Sequence, residues 1–189
     1  MNTTPSMLYA SLSVDDYLRE ELQSEIRHEY IGGQIYAMVG ASAAHNSISM
    51  NLASALHQHI AGSPCRVFMS DMKLRLEIAK ETIFYYPDIM VCCEASDRER
   101  YFRSQPKIIV EILSESTARV DRREKLLAYQ TIVSLEEYVL VEQDSKEVTV
   151  FTRAGNWKPL RLLAGDELHL PCVEFSMAMD ALYAGVEFD

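Results

Sequence analysis

Between Lys107 and Ser114 the chain reads Ile108-Ile109-Val110-Glu111-Ile112-Leu113, an apolar run of strand length with a carboxylate in its middle. Without that carboxylate the run would be an ordinary strand buried on both faces of a covered sheet. A lone charge there is costly. An unpaired buried carboxylate takes up a proton or acquires a partner, which means a basic side chain, hydrogen bonds or a metal ion. The preceding strand-like run, Asp88-Ile89-Met90-Val91-Cys92-Cys93, opens on a second acid behind Pro87, whose fixed φ suits the first position of a strand. Two acids on neighbouring strands repel unless a cation lies between them. The expectation is that Asp88 and Glu111 hold one.

A helical stretch over residues 117–132 follows, introduced by Ser114 and Thr117. Side chains four apart share a helix face, so Asp121, Lys125 and Tyr129 form one polar stripe, bordered by the small Ala118 and Ala128. If this helix packs back beside the Glu111 strand, an ammonium group overhangs the two carboxylates, with Asp121 and Tyr129 as supporting groups that orient Lys125. Carboxylate-only ligation favours Mg²⁺ or Mn²⁺, hard cations that keep several waters and bind substrate phosphate directly. The matching chemistry is phosphodiester hydrolysis, with Lys125 stabilising developing charge or positioning the nucleophile.

The rest of the chain predicts a mixed α/β (α+β) fold. Ser13 followed by Asp16 marks the start of a short helix over residues 14–22. Gly32-Gly33 is the turn of a hairpin formed by residues 25–31 and 34–39, with Arg27, Glu29 and Ile31 on one face. Apolar residues recur at helical spacing over residues 41–60, the main packing helix. Strands are expected at 65–69, 72–78 and from Asp88 as an antiparallel meander, with Lys80-Glu81 as a turn between the second and third. A parallel pair is expected between the Glu111 strand and residues 137–141, because a helix separates them. Residues 146–152, 157–163 and 167–170 read as further strands, the first two joined through Ala154-Gly155-Asn156, and 176–184 as a closing helix.

One domain is expected for residues 1–189. The net charge of −10 works against extended phosphate contacts, although arginines and lysines gather around the central stretch, interleaved with acids. No stretch is long and apolar enough to span a bilayer, and Met1–Pro5 has no signal-peptide pattern, so a cytoplasmic protein is expected. Cys65, Cys92, Cys93 and Cys172 lack metal-site spacing and read as small core residues, with the adjacent pair pointing to opposite faces.

Pro87-Asp88 followed by Glu111-Ile112-Leu113 resembles the PD-(D/E)XK nuclease superfamily. The ordered combination R-H-E-Y-I-G-G-Q-I, His45, P-D-I-M-V, V-E-I-L-S-E-S-T, D-R-R-E-K-L-L-A-Y and E-Y-V-L-V resembles its Uma-type (Uma two) restriction endonuclease family over about residues 12–183. The resemblance implies a restriction-endonuclease-like fold, a mixed central β-sheet flanked by α-helices. It also implies a Mg²⁺-dependent endonuclease acting on DNA, with Asp88 and Glu111 as metal ligands, Lys125 as the catalytic positive group, and Glu29 and His45 in support. The superfamily's usual lysine, two residues past the acid, is replaced by Leu113, and Lys125 takes its place from the helix.

Plainer roles compete: a strand cap for Asp88, an ordinary ion pair with Asp121 for Lys125, a partner for Arg27 in Glu29, and a backbone contact for His45. The alternatives for the whole protein are an inactive nuclease-fold module that binds nucleic acid or a protein, and a small-molecule phosphodiesterase. A homodimer is the expected assembly.

Overall fold

Ser13 caps the first helix, α1 (Val14–Glu21), accepting from the Asp16 amide at 3.1 Å as its spacing predicts. The structure is a computed structural model describing residues 11–114 and 117–188; Met1–Pro5, and Glu115 and Ser116 of the V-E-I-L-S-E-S-T motif, lie outside the described residues. Glu21, at the end of α1, is buried and ties the helix down. It accepts from the His28 amide at 2.9 Å and the Tyr86 hydroxyl at 2.8 Å, and meets His28 Nδ1 at 3.0 Å. Gly32 and Gly33, at φ +54° and +97°, make the tight turn between β1 (His28–Ile31) and β2 (Gln34–Ala37). The long helix α2 (Ala43–His59) follows, capped by Ser42, whose side chain accepts from the His45 amide at 3.0 Å.

The strands β3 (Arg66–Met69), β4 (Lys73–Ile78), β5 (Glu81–Tyr85) and β6 (Ile89–Cys92) do not form the expected meander. β3 pairs with β6, and β4 pairs with β5. Glu81 of the expected Lys80-Glu81 turn instead opens a full strand, β5, reached through Ala79 and Lys80 at positive φ. Its Ile83 and Tyr85 join Leu74 and Leu76 of β4 in one apolar face, which only an added hairpin strand achieves. The chain therefore leaves one sheet after Met69, builds a hairpin in a second sheet, and returns at Ile89. A hydrogen bond from the Ser70 amide to the Asp88 carbonyl at 3.1 Å joins departure and return.

After β7 (Phe102–Arg103) comes β8 (Pro106–Leu113), then α3 (Ala118–Val120), a π-helical segment at Asp121–Lys125, and α4 (Leu126–Gln130). β9 (Glu137–Glu142), β10 (Glu147–Thr152) and β11 (Pro159–Leu163) complete the larger sheet, in the order β11-β10-β9-β8-β6-β3. Its β8–β9 pair is parallel, as the crossover predicts, and the other pairs are antiparallel. The smaller sheet runs β2-β1-β5-β4-β7.

The closing helix expected over residues 176–184 is shorter than predicted. β12 (Glu167–Leu170) pairs with β13 (Phe175–Ala178), and only α5 (Met179–Leu182) is helical. Leu170 lies opposite Phe175 and Leu168 opposite Met177, so period-two burial outweighs helix propensity there.

β8 separates two cores. Ile108, Val110 and Ile112 pack with α2 and the β12–β13 hairpin, while Ile109 and Leu113 pack with the smaller sheet, Tyr129 and Tyr138. Alternation along the strand therefore turns Glu111 into the second core, between the two sheets and the helical segment.

The cysteine expectation holds for Cys92 and Cys172, which are free, and fails for the other two: Cys65 and Cys93 form a disulfide. The cause is the unforeseen β3–β6 pairing. Arg66 faces Cys92 across that ladder, which sets Cys65 opposite Cys93, 28 residues on. Closing a loop of that length constrains the unfolded chain, worth about 3–4 kcal/mol. Replacing Cys65 by Ser should lower unfolding stability by that amount, measured by urea denaturation without reductant. Two reactive thiols should appear in the denatured wild type; four would rule the disulfide out.

Candidate active site

Asp88 sits where the chain passes from the smaller sheet to the larger, one residue ahead of the Ile89–Val110 pair between β6 and β8. It shares the strand face of Met90, which belongs to the same core as Ile109 and Leu113 beside Glu111. By that alternation the Asp88 side chain falls toward the side of the larger sheet that carries Glu111, near enough for its charge to act on the Glu111 carboxyl. Asp88 Oδ2 accepts from the Ile112 amide at 2.7 Å and lies 3.2 Å from His45 Nε2, brought in by the first turn of α2.

Glu111 is 3% exposed and meets the helical segment. Its Oε1 accepts from the Tyr129 hydroxyl at 2.7 Å and from Lys125 Nζ at 3.1 Å. Lys125 is shared. Its ammonium is also 3.1 Å from Glu29 Oε1, on β1, and 3.2 Å from Asp121 Oδ1, and it lies over the Tyr85 ring at 5.3 Å from the ring centre. The Asp121 contact is an ion pair without hydrogen-bond geometry. Five of the seven residues singled out from the sequence, Glu29, Glu111, Asp121, Lys125 and Tyr129, therefore form one contact network around the ammonium, and Asp88 and His45 form a pair joined to it through the main chain of Ile112, next to Glu111.

The π-segment corrects the reading of residues 117–132 as one regular α-helix. In a regular α-helix each four-residue step overshoots a full turn by about 40°, so Asp121 and Tyr129 would diverge by about 80°. A π-turn takes up an extra residue per turn and cancels most of that drift, so Asp121, Lys125 and Tyr129 all reach the same spot. Leu113, where the superfamily has lysine, is buried in the second core, and Lys125 reaches the site from above.

Three carboxylates, on Glu29, Glu111 and Asp121, share the Lys125 ammonium, and a fourth, on Asp88, meets the His45 imidazole. Even with His45 protonated the cluster has a formal charge of −2. The protonation shifts follow from this. Burial, together with the Asp121 and Asp88 charges, pushes the Glu111 carboxyl well above its ordinary range, against the opposing pull of Lys125. Burial alone would discharge Lys125, but Glu111, Glu29 and Asp121 outweigh it and raise its pKa. Burial likewise opposes a charged His45, yet Asp88, together with the Ile112 main chain and the Asp121 charge, outweighs this and its pKa rises.

Glu111 Oε2 and Asp88 Oδ1 take no hydrogen bond among the described residues, because the contacts of each carboxylate fall on its other oxygen. These are hard oxygen donors on one face of the sheet in a field of excess negative charge, which fits Mg²⁺ or Mn²⁺. Among the described residues no three His, Cys, Asp or Glu side chains form a ready ligand cage. A cation held by this pair would complete its shell with water or ligand oxygens.

Sequence reasoning missed two contributors. Tyr85 provides the ring beside the ammonium, and its signal was its position just ahead of Pro87-Asp88. Tyr138, in the E-Y-V-L-V strand, donates to the Asp121 carbonyl at 3.0 Å, and nothing in its spacing revealed that contact.

A mixed sheet crossed by an acid-bearing central strand, with a lysine delivered to it, defines the restriction-endonuclease-like class. A crystal structure from Anabaena variabilis ATCC 29413, described as "a putative nuclease belonging to DUF820", has this fold, with a TM-score of 0.75 at 17% identity over 93% of this chain and 99% of its own. Residues 14–180 match the Uma2 family, described as "Putative restriction endonuclease", and the chain belongs to that family. Among its relatives in Synechocystis sp. (strain ATCC 27184 / PCC 6803 / Kazusa), uncharacterized protein slr1290 is 35% identical over 98% of both chains. Uncharacterized protein sll1609 is 36% identical over 77% of this chain and 82% of its own. No helix among the described residues is long and apolar enough to cross a membrane.

Proposed function

We propose that the protein is a Mg²⁺-dependent endonuclease, able to use Mn²⁺, that hydrolyses phosphodiester bonds in DNA and acts as a homodimer. The observation that carries this reading is the charge of the cluster: four carboxylates against one lysine and one histidine, with an unengaged oxygen on each of Asp88 and Glu111. When bound between them, the cation would polarise a phosphate and acidify a water. Asp88 is oriented for this by the Ile112 amide and by His45, which can hold a proton at Nε2. Lys125 is kept charged by its three carboxylates and offers that charge to a phosphate that becomes more negative as it is attacked. Tyr129 fixes Glu111 Oε1 and leaves Oε2 as the donor. A dimer brings two such sites to the two strands of a duplex.

A second reading draws on Lys125 itself, which neutralises Glu111 without any metal, as it would in an inactive nuclease-fold module that only binds nucleic acid or a protein. Incubation with supercoiled plasmid separates these readings. Nicked circles should form with Mg²⁺ or Mn²⁺ and disappear in EDTA. Gel retardation of the plasmid without nicking in either metal would favour the inactive module. Cleavage of a small phosphodiester ester with an intact plasmid would favour a small-molecule phosphodiesterase.

A further inference from the structure

We infer that Tyr138 is a positioning residue for Lys125, acting through the main-chain carbonyl of Asp121; this rests on reading Lys125 as the positive group of the site. α3, the π-segment and α4 run on as one helical stretch from Ala118 to Gln130 whose middle turn is wide. A stretch of that length is marginal by itself, so its geometry is set by what packs against it. Asp121 opens the π-segment and Lys125 closes it. In an α-helix the Asp121 carbonyl would accept from the Lys125 amide, whereas in a π-turn it is engaged one residue further on. The Tyr138 hydroxyl donates to that same carbonyl at 3.0 Å, wholly inside the protein. Among the described residues no other side chain donates to the main chain of Asp121–Lys125.

The donor is itself held rigidly. Tyr138 is fully buried on β9, paired with Ile109 of β8 on one side and Phe151 of β10 on the other. Its ring stands edge-on to Tyr129, with centres 5.2 Å apart, and is stacked on Phe151. The central strands of the sheet thus reach through one hydroxyl to the turn that aims Lys125 at Glu111, Glu29 and Asp121. Arg122 of the same segment also pairs with Glu142 of β9, but through a flexible side chain; without the hydroxyl the main chain of the widened turn loses the side-chain hydrogen bond that fixes it, and the ammonium no longer sits at one fixed point among the three acids.

The test uses the full chain with ¹⁵N-labelled lysine, the Lys125 ammonium resonance being assigned by its loss in Lys125→Arg. In Tyr138→Phe the ring and its stacking stay, and the Lys125 resonance should shift and exchange faster with water. The plasmid-nicking kcat should fall about ten-fold, with KM within about two-fold. Phe151→Leu is the packing control. It loosens the stack without touching the hydroxyl, and should lower the melting temperature while leaving the Lys125 resonance in place. An unchanged resonance in Tyr138→Phe would overturn the inference, as would an equal shift in Phe151→Leu. A freely exchanging Tyr138 hydroxyl proton in the wild type would overturn it without any variant. A shifted resonance in Tyr138→Phe, with no nicking even by the wild type, would sustain the role of Tyr138 and remove the nuclease reading instead.

Discussion

Lys125→Met should destabilise the metal-free protein by about 3–5 kcal/mol near neutral pH, the cost of breaking a buried ion pair by removing one partner. Methionine fills much the same space, so the loss measures charge rather than a cavity. Lys125 is 6% exposed and is the ammonium shared by Glu29, Glu111 and Asp121; without it, buried carboxylates face one another with no lysine among them. For a chain of this size the melting temperature should fall by roughly 10 °C.

The sign of the pH dependence follows from Glu111. Burial raises its folded-state pKa well above the ordinary 4.5, so the folded protein binds its proton more tightly than the unfolded chain. That difference favours folding fully below about 4.5 and is lost as pH rises toward the raised folded value. Removing Lys125 removes the larger of the two influences that keep the shift in check, the other being the Tyr129 hydroxyl, so the deficit of Lys125→Met should be largest at neutral pH and shrink as pH falls toward 4.5. Adding Glu111→Gln to Lys125→Met should restore most of the lost stability. Urea denaturation in EDTA across that pH range checks both points. A loss under about 1 kcal/mol, or one independent of pH, would mean the cluster is well solvated and the charge accounting is wrong.

The Glu111 strand, the Asp88 strand and the polar stripe above them were legible because each rests on a local rule: period-two burial, the cost of a buried charge, and four-residue helical spacing. The Gly32-Gly33 hairpin, the Ser13 cap and the parallel β8–β9 pair were legible for the same reason. The split into two sheets was not. It depends on β3 bypassing its neighbours to pair with β6, and no local pattern distinguishes that from a meander. The Cys65–Cys93 disulfide was hidden with it. The π-segment was illegible too, because the residues of Asp121–Lys125 suit an α-helix and the wider turn arises where they meet the sheet below. The sequence reading placed the Lys125 ammonium over the carboxylates beside an expected cation; the fold brings Lys125 to one Glu111 oxygen and, among the described residues, leaves the other without a hydrogen bond.

Asp88→Asn carries the second large effect. Asparagine keeps an oxygen for the Ile112 amide and for a protonated His45, so the strand junction should stay folded. The substitution removes one negative charge from a cluster with a formal excess of them and relieves the repulsion that Asp88 exerts on Glu111. The metal-free variant should therefore be as stable as the wild type or slightly more stable. Its plasmid nicking should nonetheless fall by about 10²–10³-fold, the scale expected when a charge-stabilising element of a site is lost. Gained stability with lost activity is a pairing that simple misfolding does not produce.

Calorimetric titration of Mn²⁺ into the metal-free wild type and Asp88→Asn decides whether these acids bind a cation at all. Saturable binding to the wild type, weakened by about 100-fold or more in the variant, is the predicted result. Equal affinity in the two proteins, or no binding to either, would contradict it.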